Sequence, residues 1–331
     1  MSEVPVLVTG ASGFLGGHLA GFLRKRGYQV RALVRATSDL SRLEGTGAEI
    51  VQGDLSDRDS LWRAMQGVKW VFNSAAKVSD WGPREAFLAI NRDGAQNVVA
   101  ACQHAGVERL VHFSSLTVLG LARKGELVTE DSPYATGSID RYSDSKLAGE
   151  RLVREAHGRR GLATVVVRPG AIWGEGDPHI LPRIVKLLRS GRMVYVGDGE
   201  NHVALSHVEN LSLGLALAAE KPEAAGRVYH VLDAEDLTSR EVIDGVAEAI
   251  GVPRPRRSVP YGIVYGVAFA LEMSGRLLRL EKPPAMTRYG VRFVASDCRY
   301  DKTRAKSELG YVPTVSFRQG LEGVARGFAK N

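Results

Sequence analysis

VPVLVTG (Val4–Gly10), followed without a break by ASGFLGGHLAGFL (Ala11–Leu23), decides how the rest of the chain is read. The first piece is a short, mostly β-branched apolar run, the pattern of a buried strand; the second spaces its apolar residues as an amphipathic helix does. Between them stand Gly10, Gly13 and Gly16 at three-residue intervals. Strand, glycine turn and helix in that order form a dinucleotide-binding turn, where glycines let the backbone approach a pyrophosphate at the positive end of the helix. Glycines also serve tight turns and close helix packing, so the flanking strand and helix carry the reading rather than the triplet. Ser12, Phe14 and Leu15 lie within the turn and are expected beside the cofactor.

The alternation continues downstream. Further strand candidates are 29–35, 48–54, 69–76, 109–115 and 163–170, separated by helix-like segments at 14–26, 57–66, 85–105 and 142–157. Such a rhythm implies a parallel sheet with right-handed crossovers, covered on both faces. After Arg168 proline and glycine become frequent in RPGAIWGEGDPHILP, and strand candidates thin to GRVYHVL (226–232), followed by a helical pattern at 239–250. The expected fold is therefore α/β, a Rossmann-type doubly wound parallel sheet with a smaller, mainly helical C-terminal substrate domain. Residues 1–172 form the nucleotide-binding domain, 203–232 return to it, and the remainder of 173–331 caps the carboxyl edge of the sheet, where ligands of such sheets bind.

Composition narrows the function classes. The chain has 331 residues, 44% hydrophobic and 24% charged, and a formal charge of +7 without basic blocks, which argues against a nucleic-acid partner. Cys102 and Cys298 give neither a disulfide framework nor metal spacing, and no metal site is expected. His112, His179, His202 and His230 show no metal-ligand spacing either. The N-terminal apolar run lacks a signal peptide's basic region, and no run reaches the roughly 18 apolar residues of a spanning helix. A cytoplasmic location is expected. One stretch points toward lipid: within VPYGIVYGVAFALEMSGRLLRLEKPP (259–284), Tyr261 to Leu271 carry no charge while Arg254, Arg256, Arg257, Arg276 and Arg279 flank them. Residues 259–280 are thus a candidate for peripheral membrane contact, for lining an apolar pocket, or for packing as a cap helix.

Cofactor choice is read at the end of the second strand, where an acid usually binds the adenosine ribose. Arg35 stands there instead, and a guanidinium favours a 2′-phosphate. NADP(H) is expected over NAD(H). Asp54 and Leu55, after the third strand, are placed near the adenine, although Asp54 could equally be the N-cap of the next helix.

RYSDSK (Arg141–Lys146) sets a phenol and an ammonium four residues apart, on one face of a helix. Together with TGASGFLG, GDLSD, NSAA, FSSLTVLG and RPGAIWGEGD, in that order, it resembles the extended short-chain dehydrogenase/reductase superfamily over essentially the whole chain. AAKVSDWGP and TRYGVRF…CRYDKTRAKSELGYVP resemble its 3β-hydroxysteroid dehydrogenase/isomerase-like branch, and LVRATSDLSRLEG is similar to dihydroflavonol reductase-like proteins. The resemblance implies a Ser–Tyr–Lys set of Ser115, Tyr142 and Lys146, in which the lysine lowers the phenol's pKa and holds the cofactor ribose. Ser115 is preferred to Ser114 because it lies five residues before Gly120 and because alternation turns the two serines to opposite faces. Ser143, Asp144 and Ser145 are expected only to set the Tyr–Lys spacing. The resemblance further implies Asn91 as a support of the catalytic network, and Ala75, Ala76, Lys77, Ser114, Pro169, Gly170 and Ile172 as cofactor contacts. Many relatives carry histidine where Asn73 stands. His207 matches a position between the two domains with a structural role.

On the substrate side, nucleotide-sugar epimerases of this superfamily often carry an arginine four residues before an HV dipeptide; counting from His207, that place holds Val203. Arg183, Lys186 and Arg192 fall on a helix and its exit. The sequence therefore points to an NAD(P)-dependent enzyme interconverting a secondary alcohol and a ketone on an apolar substrate, either a 3β-hydroxysteroid or a long-chain β-keto acid. The alternatives are a sugar-nucleotide epimerase or dehydratase and a non-catalytic NADP-sensing protein. A homodimer is implied at family level.

Overall fold

The computed structural model describes residues 4–121, 125–137, 140–280, 282–297 and 299–329; Cys298 lies outside them. Seven strands, β1 (Pro5–Thr9), β2 (Gln29–Val34), β3 (Glu49–Gln52), β4 (Trp70–Asn73), β5 (Arg109–Phe113), β6 (Ala163–Pro169) and β7 (Val228–Val231), form one sheet in the order β7-β6-β5-β4-β1-β2-β3. Every neighbouring pair is parallel. The order reverses between β1 and β4, and the crevice outside their carboxyl ends is where such sheets hold ligands.

Both faces of the sheet are covered, which is why its strands read as nearly unbroken apolar runs. On β1, Val6 and Val8 face one side and pack with Leu19 and Leu23 of α1 (Phe14–Lys25). Leu7 faces the other side and packs with Leu61 of α2 (Arg58–Met65). After α3 (Arg84–Leu88) in the chain, Val98 of α4 (Gly94–Ala105) and Val153 of α5 (Arg141–Glu155) lie on that side too. Each such buried side chain contributes about 1.5–3 kcal/mol relative to exposure. Beyond β6, α6 (Ile180–Arg189) joins the cap, α7 (Val208–Glu220) returns to the first face through Leu211 and Leu215, and β7 follows it into the sheet.

The C-terminal region is mainly helical. α8 (Ser239–Ala249), α9 (Tyr261–Leu277), α10 (Arg288–Ala295), α11 (Thr303–Leu309) and α12 (Phe317–Ala329) follow β7. A second core around Trp173 joins Leu181 and Val185 of α6 to Val246 of α8 and Leu321 of α12. Two features differ from the expected pattern. Segment 85–105 is two helices joined by a π turn at Ala89–Asp93, a distortion common near functional sites. Four two-stranded ribbons also stitch the upper half, among them Ala171–Trp173 with Leu205–His207 and Leu127–Val128 with Arg299–Tyr300. Strands of two or three residues are too short to show alternation in sequence.

Candidate active site

One cavity of about 1140 Å³ runs from the glycine turn, across the carboxyl ends of the strands, to the underside of α10. Every candidate cofactor and catalytic residue except Asn91 lines it. At its first end Gly10 adopts φ +65°, and a Cβ there would sit 2.7 Å from the Ala75 Cα. A Cβ on Gly16 would lie 2.2 Å from the Gly10 carbonyl oxygen. These glycines are therefore required by the turn itself as well as by any ligand. Gly13 caps α1 without a side chain, leaving the helix terminus open to a phosphate. Ala75 is held beside the turn by its N–H donating to Thr9 Oγ1 at 3.2 Å, while Thr9 Oγ1 donates to Asn73 Oδ1 at 2.7 Å. Asn73 also meets His112 Nδ1 at 3.1 Å, so its side chain ties β1, β4 and β5 together below the cavity.

Farther along the cavity Arg35 is exposed at the tip of β2, and its N–H donates to Ser38 Oγ at 3.1 Å. Arg42, overlooked in the sequence, joins it: the guanidinium lies 5.6 Å from the Phe14 ring centre and donates to the Gly176 carbonyl at 2.9 Å. Its signal was a second arginine in the same short segment as Arg35. Asp54 accepts from the N–H and hydroxyl of Ser56 at 2.8 and 2.6 Å, which holds its carboxyl below the usual range. It is not the cap of the next helix; Asp57 is, accepting from the N–H groups of Asp59 and Ser60.

The candidate catalytic set is assembled by β5 and α5. Ser115 follows β5 and accepts from the N–H of Thr117 at 3.2 Å and its hydroxyl at 3.0 Å. It is hydrogen-bonded to the Tyr142 phenol. Ser114 turns the other way and donates to the Glu150 carboxylate. Asp140 caps α5, so Tyr142 sits in the first turn, where the helix dipole favours negative charge. Burial nevertheless pushes the phenol up to about 12, opposed by the Ser115 hydrogen bond. Lys146, one turn on, is buried and donates to the Phe113 carbonyl; burial draws it down to about 8. In this structure the Lys146 ammonium donates to a backbone oxygen, and at Tyr142 burial outweighs what favours the phenolate.

Beneath this set runs a polar network the sequence did not disclose. Glu150, one turn beyond Lys146, is fully buried with Arg168 in a two-point pair of 2.5 and 3.2 Å. Tyr134 donates to the same carboxylate at 2.8 Å. Asn91 does not reach the cavity. Its Oδ1 accepts from the Lys77 N–H at 2.8 Å, and its Nδ2 donates to the Lys77 carbonyl at 3.1 Å and to Ser145 Oγ at 2.8 Å. Ser145 in turn donates to the Tyr142 carbonyl at 2.7 Å, and Ser143 donates to Asp140 at 2.5 Å. These two serines thus anchor α5, which corrects the view of them as spacers.

At its far end the cavity is apolar. Pro169, Gly170 and Ile172 lead to Leu121, Val203, Tyr289 and Phe293. Val203 lines the cavity, whereas Arg183 donates to the Ala285 carbonyl and neither Lys186 nor Arg192 is among the lining residues. His207 packs edge-on against Trp173, away from the cavity. Among the described residues no three His, Cys, Asp or Glu side chains come together as a metal would require, and no helix is long and apolar enough to cross a membrane.

A parallel sheet with this reversal point, an open glycine turn and a Ser–Tyr–Lys cluster at one cavity defines a dinucleotide-dependent enzyme of the Rossmann class. More particularly, the chain belongs to the NAD dependent epimerase/dehydratase family, whose pattern matches residues 6–231. It is 35% identical over 322 residues to the 2-alkyl-3-oxoalkanoate reductase of Stenotrophomonas maltophilia, covering 96% of this chain and 97% of that one. It is 31% identical to the 3beta-hydroxysteroid-dehydrogenase/decarboxylase isoform 1 of Arabidopsis thaliana, covering 98% and 79%. Among solved structures, the dTDP-glucose 4,6-dehydratase of Streptomyces venezuelae with NAD bound superposes with a TM-score of 0.79 at 27% identity, covering 99% and 98%. The resemblance to the extended short-chain dehydrogenases and their hydroxysteroid-acting branch therefore holds.

Proposed function

We propose that this chain is an NADP(H)-preferring oxidoreductase that interconverts a ketone and a secondary alcohol on a largely apolar substrate, a 3β-hydroxysteroid or a long-chain β-keto acid. The observation that carries the reading is the Ser115–Tyr142 hydrogen bond at a cavity whose other wall is Leu121, Val203, Tyr289 and Phe293. When bound, the dinucleotide supplies or accepts the hydride. The turn of Gly10, Ser12, Gly13, Phe14, Leu15 and Gly16 would hold its pyrophosphate, and Lys146 its ribose. Arg35, joined by Arg42, supports the 2′-phosphate reading.

Ser115 holds the substrate oxygen against the phenol. With its pKa pushed up to about 12, Tyr142 keeps its proton at neutral pH and donates it to the ketone oxygen as the neighbouring carbon is reduced. Oxidation requires the phenolate, which the first turn of α5 favours. If the substrate bears a carboxylate beside the new ketone, the product is a β-keto acid that readily loses carbon dioxide. The names of both relatives above support an oxo or hydroxy group on an alkyl or steroid frame. Homodimer formation belongs to the same proposal.

The test is a screen of steroids, β-keto acids and nucleotide sugars that follows NADPH absorbance, repeated with Tyr142→Phe. Turnover is expected to fall about 10²–10⁴-fold in the variant; unchanged turnover rejects the assignment. The family match favours one second reading, an epimerase or dehydratase, in which tightly held cofactor is regenerated at every turnover. Stoichiometric NADPH consumption excludes it.

A further inference from the structure

α9 is amphipathic in the inverted sense. Val264, Ala268, Glu272 and Gly275 face inward, and Val264 and Ala268 pack with Val291 of α10. The outward half carries Ile263, Val267, Phe269, Met273 and Leu277, with Leu278 just beyond; Ile263 is 59% and Leu277 84% exposed. Its acid, Glu272, is buried and bonded to Arg288 at 2.9 Å. Exposed Arg256 and Arg257 precede the helix, and Arg276, Arg279 and Lys282 cluster at its far end. An apolar face of about 25 Å bracketed by cations is the make-up of a helix lying in a bilayer interface, with the basic side chains reaching out to the phosphates.

The inward side of the same helix adjoins elements that line the cavity. Trp81 donates from Nε1 to the Leu280 carbonyl at 2.8 Å and packs over Gly275. Three residues before it, Val78 is 59% exposed yet lines the cavity. On the other side of α9, α10 contributes Tyr289 and Phe293 to the cavity wall. A second copy of the chain is the poorer occupant, because two such faces would bring arginine against arginine.

We propose that the outward face of α9 seats on an anionic lipid surface and that apolar substrate passes from it into the cavity beside Val78. The substrate route rests on the function proposed above; the docking does not. The test is co-sedimentation with vesicles of phosphatidylcholine alone or mixed about three to one with phosphatidylglycerol. Binding is expected only to the anionic vesicles and should fall as salt rises. The double variant Ile263→Glu/Leu277→Glu should lower the bound fraction about tenfold, with an unchanged melting temperature because both side chains point outward. Gly266→Leu, on the same face with nothing within 4 Å of its Cβ position, should keep or strengthen binding.

Wild-type protein that ignores both vesicles, or a double variant that binds as well, overturns the docking. A dimer in sedimentation velocity that both substitutions split assigns the face to a second copy instead. Reduction of a short soluble ketone, measured on the same preparations, separates the two proposals: activity without vesicle binding rejects the docking, whereas vesicle binding without activity rejects only the enzymatic reading.

Discussion

At the dinucleotide end of the cavity, backbone fixes the site; at the cap end, side chains packed between helices form it. Gly10, Gly16 and Ala75 touch one another through main-chain atoms, and Ser115 and Tyr142 are delivered by a strand end and a capped helix start. Leu121, Val203, Tyr289 and Phe293 converge on the cavity from distant segments. The first kind of site tolerates little change and accepts one class of cofactor. The second can be repacked at small cost, which lets relatives of one family act on steroids, alkyl chains or nucleotide sugars.

The contrast is tested most severely beneath the first end. Arg168→Ala leaves the Glu150 carboxylate buried without its partner and should cost about 3–5 kcal/mol of unfolding free energy, read from urea denaturation. A loss below about 1 kcal/mol would mean the network is peripheral to the fold.

Next comes a pH effect. Burial holds Lys146 at about 8, below its ordinary 10.5. Between those values the unfolded chain binds a proton that the folded chain has released, so stability from this group rises with pH across that window. Lys146→Met should flatten the rise between pH 8 and about 10; an unaltered slope would place its origin elsewhere.

Arg35→Asp should then weaken NADP⁺ relative to NAD⁺ about tenfold or more by titration, and an unchanged ratio would reject the 2′-phosphate argument. The smallest effect is expected at the cap. Phe293→Ala, a partly buried position, should raise KM for an apolar ketone about tenfold while kcat and the melting temperature barely move. A collapse of kcat would show that the cap end is as tightly coupled to chemistry as the strand end.

The sequence disclosed these two ends unequally, for the same reason. Buried parallel strands force apolar runs, and the turn after β1 forces glycine, so the sheet and its cofactor loop were legible residue by residue. The Tyr142–Lys146 pair was legible because one helical turn fixes its spacing. Arg42 had only its nearness to Arg35 in the chain, and Tyr289 and Phe293 gave no such signal, since tertiary packing alone brings them to the cavity. Nor did Glu150 with Arg168, whose partners lie 18 residues apart with no periodic pattern to mark them. In sequence Asp54 fits a cap as well as an adenine contact, because Asp57, three residues later, offers the same chemistry to the same helix.

The π turn at Ala89–Asp93 is an extra residue wound into what would otherwise be one continuous helix. Gly149 of α5 lies against it so closely that a Cβ would be 2.1 Å from the Asn91 carbonyl oxygen. Excising Ile90 would let α3 and α4 fuse with better hydrogen bonding, yet would rotate Asn91 relative to one of its flanks by about 100°. Lys77 would lose the amide that grips it from both sides, and α5 its tether through Ser145. The locally smoother helix would be the less active one: here the irregularity is a timing mark that keeps two otherwise independent pieces in phase.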